Sequence, residues 1–316
     1  MSLLHSSLPP RGDGRQLGEA KLESDGLNYA GVTVVPMQCG GWRALWVWVR
    51  IGLVRFALAC PVRVRRRVSV SARHPVHVGT AVTRAMYLTA DGLEREAPLA
   101  GIDALEAVQG APVRIPPSYA GQSNYPGLFW SSTMRAHVVY ESRLELSWLW
   151  LADFDPDVVG IAAQPLYVVG DDAGRTRTRY PDFLCVMADG RVVVVDVKPE
   201  EMLKKPAVRE SLDWTARVMQ ERGWEYLVWM GAPRTTLRNV RLLAAARRSA
   251  LVGPSLIEAA VEACPPGGAA LGHLEQELRR SLPGAARSAI FAALWWHRLG
   301  CDLSTPLDSR TWVTHA

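Results

Sequence analysis

Two short apolar runs, Phe183–Met187 (FLCVM) and Arg191–Val197 (RVVVVDV), are joined by Ala188-Asp189-Gly190, and this pair constrains the chain more than any other stretch. A three-residue loop with glycine in the left-handed region is a common hairpin connection. Such a loop pairs residue 187 with residue 191, and counting back places Asp182, which follows Pro181, opposite Asp196. Cross-strand partners share a face about 5 Å apart, and the two-residue period of a strand brings Lys198 to the same face. Two carboxylates held that close repel unless a cation lies between them, and hard divalent ions take oxygen ligands. A neighbouring lysine can orient a water or hold a phosphate oxygen. The pattern suits metal-assisted phosphodiester hydrolysis.

A D-x-K at a strand end is as readily a solvated edge. Two features weigh against that here. Val192 to Val195 is apolar on both faces, so the polar end emerges from a core. Lysine is also scarce: four lysines (Lys21, Lys198, Lys204, Lys205) stand against thirty-two arginines. A compact, titratable amine at this position is therefore unlike the rest of the composition.

The surroundings extend the pattern. His137–Leu151 predicts a helix with an apolar stripe at Leu144, Trp148 and Leu151, carrying Glu141 and Glu145 one turn apart. Leu166–Val169 and Thr176–Tyr180 flank a turn-rich segment and predict a second hairpin. After the acidic hairpin, Pro206–Arg222 predicts a helix closed by Gly223, and Glu225–Met230 a final strand. The expected fold class is α/β, with the αβββαβ core of the PD-(D/E)XK restriction-endonuclease-like superfamily, whose motif Asp182, Asp196 and Lys198 match.

Tyr140-Glu-Ser-Arg-Leu-Glu145, Phe154-Asp-Pro-Asp-Val158, Gln164-Pro165, Tyr180-Pro-Asp-Phe183 and Val195-Asp-Val-Lys-Pro199 occur in that order. From about residue 130 to 248 the chain resembles the TnsA family, the endonuclease subunits of heteromeric transposases. The resemblance implies that Glu145, in the S-x-L-E position, is the helix carboxylate of a metal site completed by Asp182, Asp196 and Lys198, with Glu141 a less favoured substitute. It implies Mg²⁺ (or Mn²⁺) as cofactor and double-stranded DNA at transposon ends as substrate. Cleavage would leave a 5′ phosphate and a 3′ hydroxyl, and the partners would be a strand-transferring transposase subunit and an ATPase regulator. The family's middle acidic position is often Glu or Gln, and Asp196 is one methylene shorter than Glu. A non-catalytic adaptor that keeps a nuclease fold for binding DNA or a transposase is the alternative from another functional class.

Gln164-Pro165 is a further accessory candidate, to position a water or a DNA strand, although such a pair more often fixes a loop. Arg175, Arg177 and Arg179 alternate with threonines, so their guanidinium groups share one strand face, a footprint suited to phosphates and equally to solvent. Arg234, Arg238, Arg241, Arg247 and Arg248 decorate a helix from Thr235 to about Ala250, where a solvated face is the default.

The formal charge of +5 is unevenly spread. Residues 1–90 hold twelve Lys/Arg and four Asp/Glu, a balance of +8, so residues 91–316 carry −3 and DNA contact there must rest on local patches. Gly26–Ala90 has no acidic residue and nine arginines. The apolar run Ala44–Cys60 is short and interrupted by Arg50 and Arg55, which argues against a membrane span, and it starts too far in for a signal peptide. Residues 1–90 are expected to be a basic, poorly ordered extension, with the working fold starting at Met86. Residues 91–130 are read as a partly extended lead-in, 131–250 as the nuclease domain and 251–316 as a winged-helix-like domain. In that last part Ser255–Glu262, Leu271–Arg280 and Ala285–Leu299 predict helices ahead of a small β wing at Cys301–Val313. Five cysteines without C-x-x-C spacing give no zinc site or secreted disulfide framework. The expected location is cytoplasmic and nucleoid-associated.

Overall fold

A computed structural model of the chain describes residues 82–115 and 125–316, with strand assignments alone between 28 and 59. The chain divides into two units, Met1–Pro75 and Val76–Ala316. In the first, Asn28–Tyr29 (β1), Val32–Cys39 (β2), Trp42–Ile51 (β3) and Val54–Ala59 (β4) are neighbours in one antiparallel sheet. The expected disorder of the N-terminal extension otherwise falls, up to residue 81, outside the described residues.

The second unit opens with the hairpin Arg84–Leu88 (β5) and Glu94–Pro98 (β6), turned at Gly92 with φ 82°. Asp103 then caps the helix Ala104–Gln109 (α1), its carboxylate accepting from the Leu105 and Glu106 N–H groups. The sequence was expected to supply only the end of an extension and a lead-in here. Instead Ala85, Met86 and Tyr87 are buried. Gly127–Ser131 (β7) and Ala136–Tyr140 (β8) form another hairpin. The helix expected over 137–151 is therefore shorter. His137 to Tyr140 pair as a strand, and Ser142, whose Oγ accepts the Glu145 N–H, starts the helix Arg143–Ala152 (α2).

Val158–Ala163 (β9), which the sequence reading left unassigned, precedes the hairpin Tyr167–Asp172 (β10) and Arg175–Arg179 (β11). Phe183–Met187 (β12) and Val192–Val197 (β13) follow, then the short helix Glu200–Leu203 (α3), the long helix Pro206–Glu221 (α4) and the strand Glu225–Trp229 (β14). The central sheet runs β14-β13-β12-β9, with β14 parallel to β13 and the other pairs antiparallel. The β10–β11 hairpin leaves it and joins β5 and β6 in a second sheet of order β11-β10-β5-β6. The elements of the central layer thus follow one another as α2, β9, β12, β13, α4, β14.

Strand alternation divides the side chains between two cores. Ala162, Leu184, Val186 and Val194 face Trp214, Val218 and Met219 of α4 together with Val168 of β10. Ile161, Phe183, Cys185 and Val195 face Trp148 and Leu149 of α2, where Trp148 stacks on Phe183 with ring centroids 4.3 Å apart. Burial of Phe183, Leu184, Val194 and Val195 at 1% exposure or less contributes about 1.5–3 kcal/mol for each large side chain, and this fixes the register at the polar strand ends.

Arg234–Leu243 (α5) leads to Pro254–Ala263 (α6), Ala269–Ala270 (β15), Leu271–Ser281 (α7), Ala286–Trp295 (α8), Leu299–Cys301 (β16) and Trp312–His315 (β17). The last three strands form a small sheet in the order β15-β17-β16. The third of these C-terminal helices ends at Trp295, four residues before its expected end. His297 takes φ 50° there and its ring nitrogen bonds to the Phe154 carbonyl at 2.6 Å, releasing Leu299 into a strand. These helices share a core with Val240 and Leu243 of α5 and reach Trp150 and Leu151 of α2. Half-buried Arg247 fastens the junction: it donates to the Trp130 and Ala244 carbonyls and lies over the Trp150 ring at 4.7 Å. Among the described residues no helix is long and apolar enough to cross a membrane.

Candidate active site

The acidic hairpin has the register counted from its loop. Gly190 sits at φ 87°, the Met187 N–H donates to the Arg191 carbonyl, and Phe183 lies opposite Val195, so Asp182 and Asp196 are abreast at the next position. On the other side Ala163 pairs with Phe183, and the Gln164 N–H donates to the Asp182 carbonyl at 2.9 Å. Gln164, Asp182 and Asp196 therefore form one row across three strands, at the edge where β12 begins and β13 ends.

Lys198 closes the row. Its ammonium donates to Asp182 Oδ2 at 2.7 Å and lies 3.6 Å from Asp196 Oδ1. Asp182 Oδ2 also accepts the Val197 N–H at 2.7 Å. Burial alone would depress the lysine, and Asp182 and then Asp196 outweigh it, so its pKa stands above the ordinary value. Burial pushes the Asp182 carboxyl up; Lys198 opposes that shift and Asp196 adds to it.

Asp196 is fully buried, and its two oxygens differ. Oδ2 accepts from Arg179 at 2.5 Å and from the Tyr226 hydroxyl. Oδ1 is buried with no hydrogen-bond partner. Burial, then the Asp196 charge, pushes the Tyr226 phenol up. Sequence reasoning missed Tyr226 altogether. The available signal was strand parity, because Tyr226 pairs with Val194 across the parallel β13–β14 ladder and so shares its face with Asp196.

Glu145 is buried at the start of α2. One carboxylate oxygen accepts from Ser142 Oγ at 2.9 Å, the other from the Glu141 N–H at 2.8 Å. With Ser142 Oγ accepting the Glu145 N–H, this is a variant of the capping box, readable in the sequence as S-x-x-E, in which the glutamate reaches back to the N–H of Glu141 rather than of Ser142. Burial pushes the Glu145 carboxyl up to about 7; the Glu141 N–H and Ser142 oppose the shift, and Asp182 is near enough for its charge to add to it. Glu141 lies outside the helix and its carboxylate pairs with Arg114 at 2.5 Å, so the two glutamates do not share a helix face as expected.

The three strand arginines have separate fates. Arg179 serves Asp196, Arg177 pairs with Asp172 at 2.5 Å, and Arg175 is exposed. Gln164 is 1% exposed, takes the left-handed conformation at φ 48°, accepts the Val113 N–H on its carbonyl and leaves Oε1 without a partner. Its backbone hydrogen bonds hold the loop in place.

Among the described residues no three His, Cys, Asp or Glu side chains converge as a ready metal cluster. The donor set nevertheless fits a hard divalent ion: two facing carboxylates, all-oxygen ligands, and a buried Asp196 Oδ1 that no donor satisfies. Asp182 and Asp196 would hold such an ion, and Glu145 would join them on leaving its cap. A model of the TnsA-like endonuclease N-terminal family matches residues 155–230. The match spans β9 to β14 and includes Asp182, Asp196 and Lys198, while Glu145 precedes it. Among curated proteins none matches the chain. The resemblance read from the ordered motifs is thus supported over the central sheet, and over residues 155–230 the chain is similar to the TnsA-like endonuclease N-terminal family.

Proposed function

We propose that the protein is a Mg²⁺- or Mn²⁺-dependent DNA endonuclease of the PD-(D/E)XK type. In this reading it cuts at transposon ends as the TnsA-like subunit of a heteromeric transposase and leaves a 5′ phosphate and a 3′ hydroxyl. The observation that carries the reading is the buried row in which Lys198 lies between Asp182 and Asp196 while Asp196 Oδ1 stays unsatisfied. When bound, the ion would supply Lewis-acid polarisation of the phosphate. The chain's own residues do the rest. Asp182 and Asp196 hold the ion, the capping-box residue Glu145 stands beside them, and the Lys198 ammonium is placed to hold a phosphate oxygen or orient the attacking water. A strand-transferring transposase subunit and an ATPase regulator are the partners this role requires, and the nucleoid is where it would act. The C-terminal helices and their three-stranded sheet are assigned a winged-helix role in docking DNA or a partner.

One observation favours a second reading, a non-catalytic adaptor on a nuclease fold: both Glu145 oxygens are already engaged by Ser142 and the Glu141 N–H. Incubating the protein with duplex DNA carrying a transposon end, with and without its partner subunits, separates the two. Nicking in Mg²⁺ with 5′-phosphate ends, absent in Asp182→Ala and in EDTA, supports the endonuclease. Equal cutting by Asp182→Ala would refute it.

A further inference from the structure

We infer that the outer face of α5 is a DNA-backbone binding surface, set by Arg234, Arg238 and Arg241 and extended by Arg248. The inference rests on the nuclease reading and names where that nuclease holds its substrate. Arg234, Arg238 and Arg241 stand at i, i+4 and i+7 of α5, so they lie on one helix face, and all three are exposed. The opposite face is anchored. Val240 and Leu243 are buried at 1% exposure, and Asn239 Nδ2 donates to the Leu303 and Thr305 carbonyls at 3.0 and 2.7 Å. The arginine face therefore has one orientation, outward.

What separates these arginines from the other exposed ones is that they cluster on one face without acid partners. Some exposed arginines elsewhere are paired, as Arg280 is with Glu277 at 2.7 Å, Arg298 with Glu258 at 2.5 Å and Arg310 with Asp308 at 3.1 Å, whereas Arg95, Arg135 and Arg209 are exposed, scattered and, among the described residues, also without an ion pair. Among the described residues no ion pair involves Arg234, Arg238, Arg241 or Arg248, and residues 226–257 contain no Asp or Glu at all. Arg248, past the helix end, is exposed and lies over the Trp130 ring at 5.0 Å. Arg247 points the other way, into its carbonyl ligands, and is structural.

Position and spacing fit a nucleic-acid strand. The Lys198 N–H donates to the Trp229 carbonyl at 3.0 Å, and α5 starts five residues after Trp229, within about 18 Å of chain reach. The helix also packs against α2, which carries Glu145. From Arg234 to Arg241 is about 10 Å along the axis, over which one DNA strand presents about three phosphates. A basic face with no internal counter-ions, beginning beside the acidic row, would lay the backbone across the site.

The test is binding of the full chain to a fluorescent 30-base-pair duplex in EDTA, read as anisotropy at several KCl concentrations. The Arg234→Gln, Arg238→Gln, Arg241→Gln triple variant should bind at least about tenfold more weakly, and its slope of log K against log salt should fall by about 2–3. A control triple, Arg280→Gln, Arg298→Gln, Arg310→Gln, removes the same charge from paired sites and should change affinity less than about threefold. The matching Arg→Lys triple at the α5 positions should bind within about threefold of wild type, which guards against a folding defect. Equal losses in the α5 and control triples, or a lysine triple as weak as the glutamine one, would overturn the inference and leave the nuclease reading standing. A wild-type chain that binds no DNA would overturn both.

Discussion

The Tyr226 hydroxyl donates to Asp196 Oδ2, the same oxygen that Arg179 holds from the second sheet. Three strands thereby turn Asp196 so that its other oxygen faces Lys198. Partners of this kind orient a metal-binding carboxylate, and losing one typically costs about 10–100-fold in metal affinity. Tyr226→Phe keeps the ring and removes only the donor. It should lower stability by about 1–2 kcal/mol in denaturant and weaken Mn²⁺ binding about tenfold by calorimetry. Unchanged values for both would show that the contact does no positioning.

Lys198 neutralises a pair that would otherwise repel. With its ammonium 2.7 Å from Asp182 and 3.6 Å from Asp196, removing it leaves two buried carboxylates facing each other. Lys198→Met should therefore lose about 3 kcal/mol of stability in EDTA and abolish cleavage. Saturating Ca²⁺ should raise its melting temperature more than that of wild type, since a divalent cation replaces the missing charge. A Ca²⁺ shift no larger than wild type's would mean the two carboxylates do not share a cation. Asp182→Ala, by contrast, relieves the repulsion and should keep its apo stability while losing cleavage.

The row itself was legible because a three-residue loop closed by Gly190 fixes register, and register fixes faces. Arg179 and Tyr226 were not legible as partners of Asp196. They reach it from β11 and β14, and no local pattern reports which side chains meet across separate strands. β9 was missed because its Val-Val-Gly-Ile-Ala-Ala is buried on both faces except at Val159, so it has no alternation to read. Gly160 lies close to α1 there, and a Cβ would meet a Val108 methyl at 3.2 Å, so that side chain would have to shift by a few tenths of an ångström. Glu141 was misplaced because a glutamate four residues before another reads as a helical neighbour, whereas Ser142 starts the helix between them.

The pKa of Glu145 predicts a pH dependence. Burial lifts it from 4.5 to about 7, so between those values the folded protein keeps a proton that the unfolded chain has lost. Its favourable contribution is full below pH 4.5 and is lost as pH rises through 7, a difference of about 3 kcal/mol. Asp182 is shifted in the same direction, by burial first, so the apo protein should weaken from pH 5 to pH 8. Glu145→Gln mimics the protonated form and keeps an acceptor for the cap. It should be more stable than wild type at pH 8 and nearly equal at pH 5. The reverse order, read from denaturation midpoints at the two values, would contradict the burial argument.

Metal identity is a separate check. Mg²⁺ and Mn²⁺ should support hydrolysis, whereas Ca²⁺ should bind and support little, because its looser coordination orders the reacting groups poorly. Ca²⁺ should consequently inhibit in competition with Mg²⁺. Full activity in EDTA would exclude the mechanism.

The last prediction concerns β5. Composition placed the start of the working fold at Met86, which falls in the middle of this strand. β5 is an inner strand of its sheet, paired with β10 through Met86↔Tyr167 and Ala85↔Val168 and with β6 on its other edge. Ala85, Met86 and Tyr87 are 1%, 6% and 6% exposed, and Ala85 and Tyr87 share a core with Val168 and Trp214. Burial of the two large side chains contributes about 1.5–3 kcal/mol each, before any ladder hydrogen bond is counted. A chain beginning at residue 82 should melt cooperatively. One beginning at Asp91 should lose about 5 kcal/mol or more, with tryptophan emission shifted to the red as Trp214 is uncovered, and one beginning at Met86 should fall between them. Identical melting of all three would mean that β5 contributes nothing to the core, which its burial does not allow.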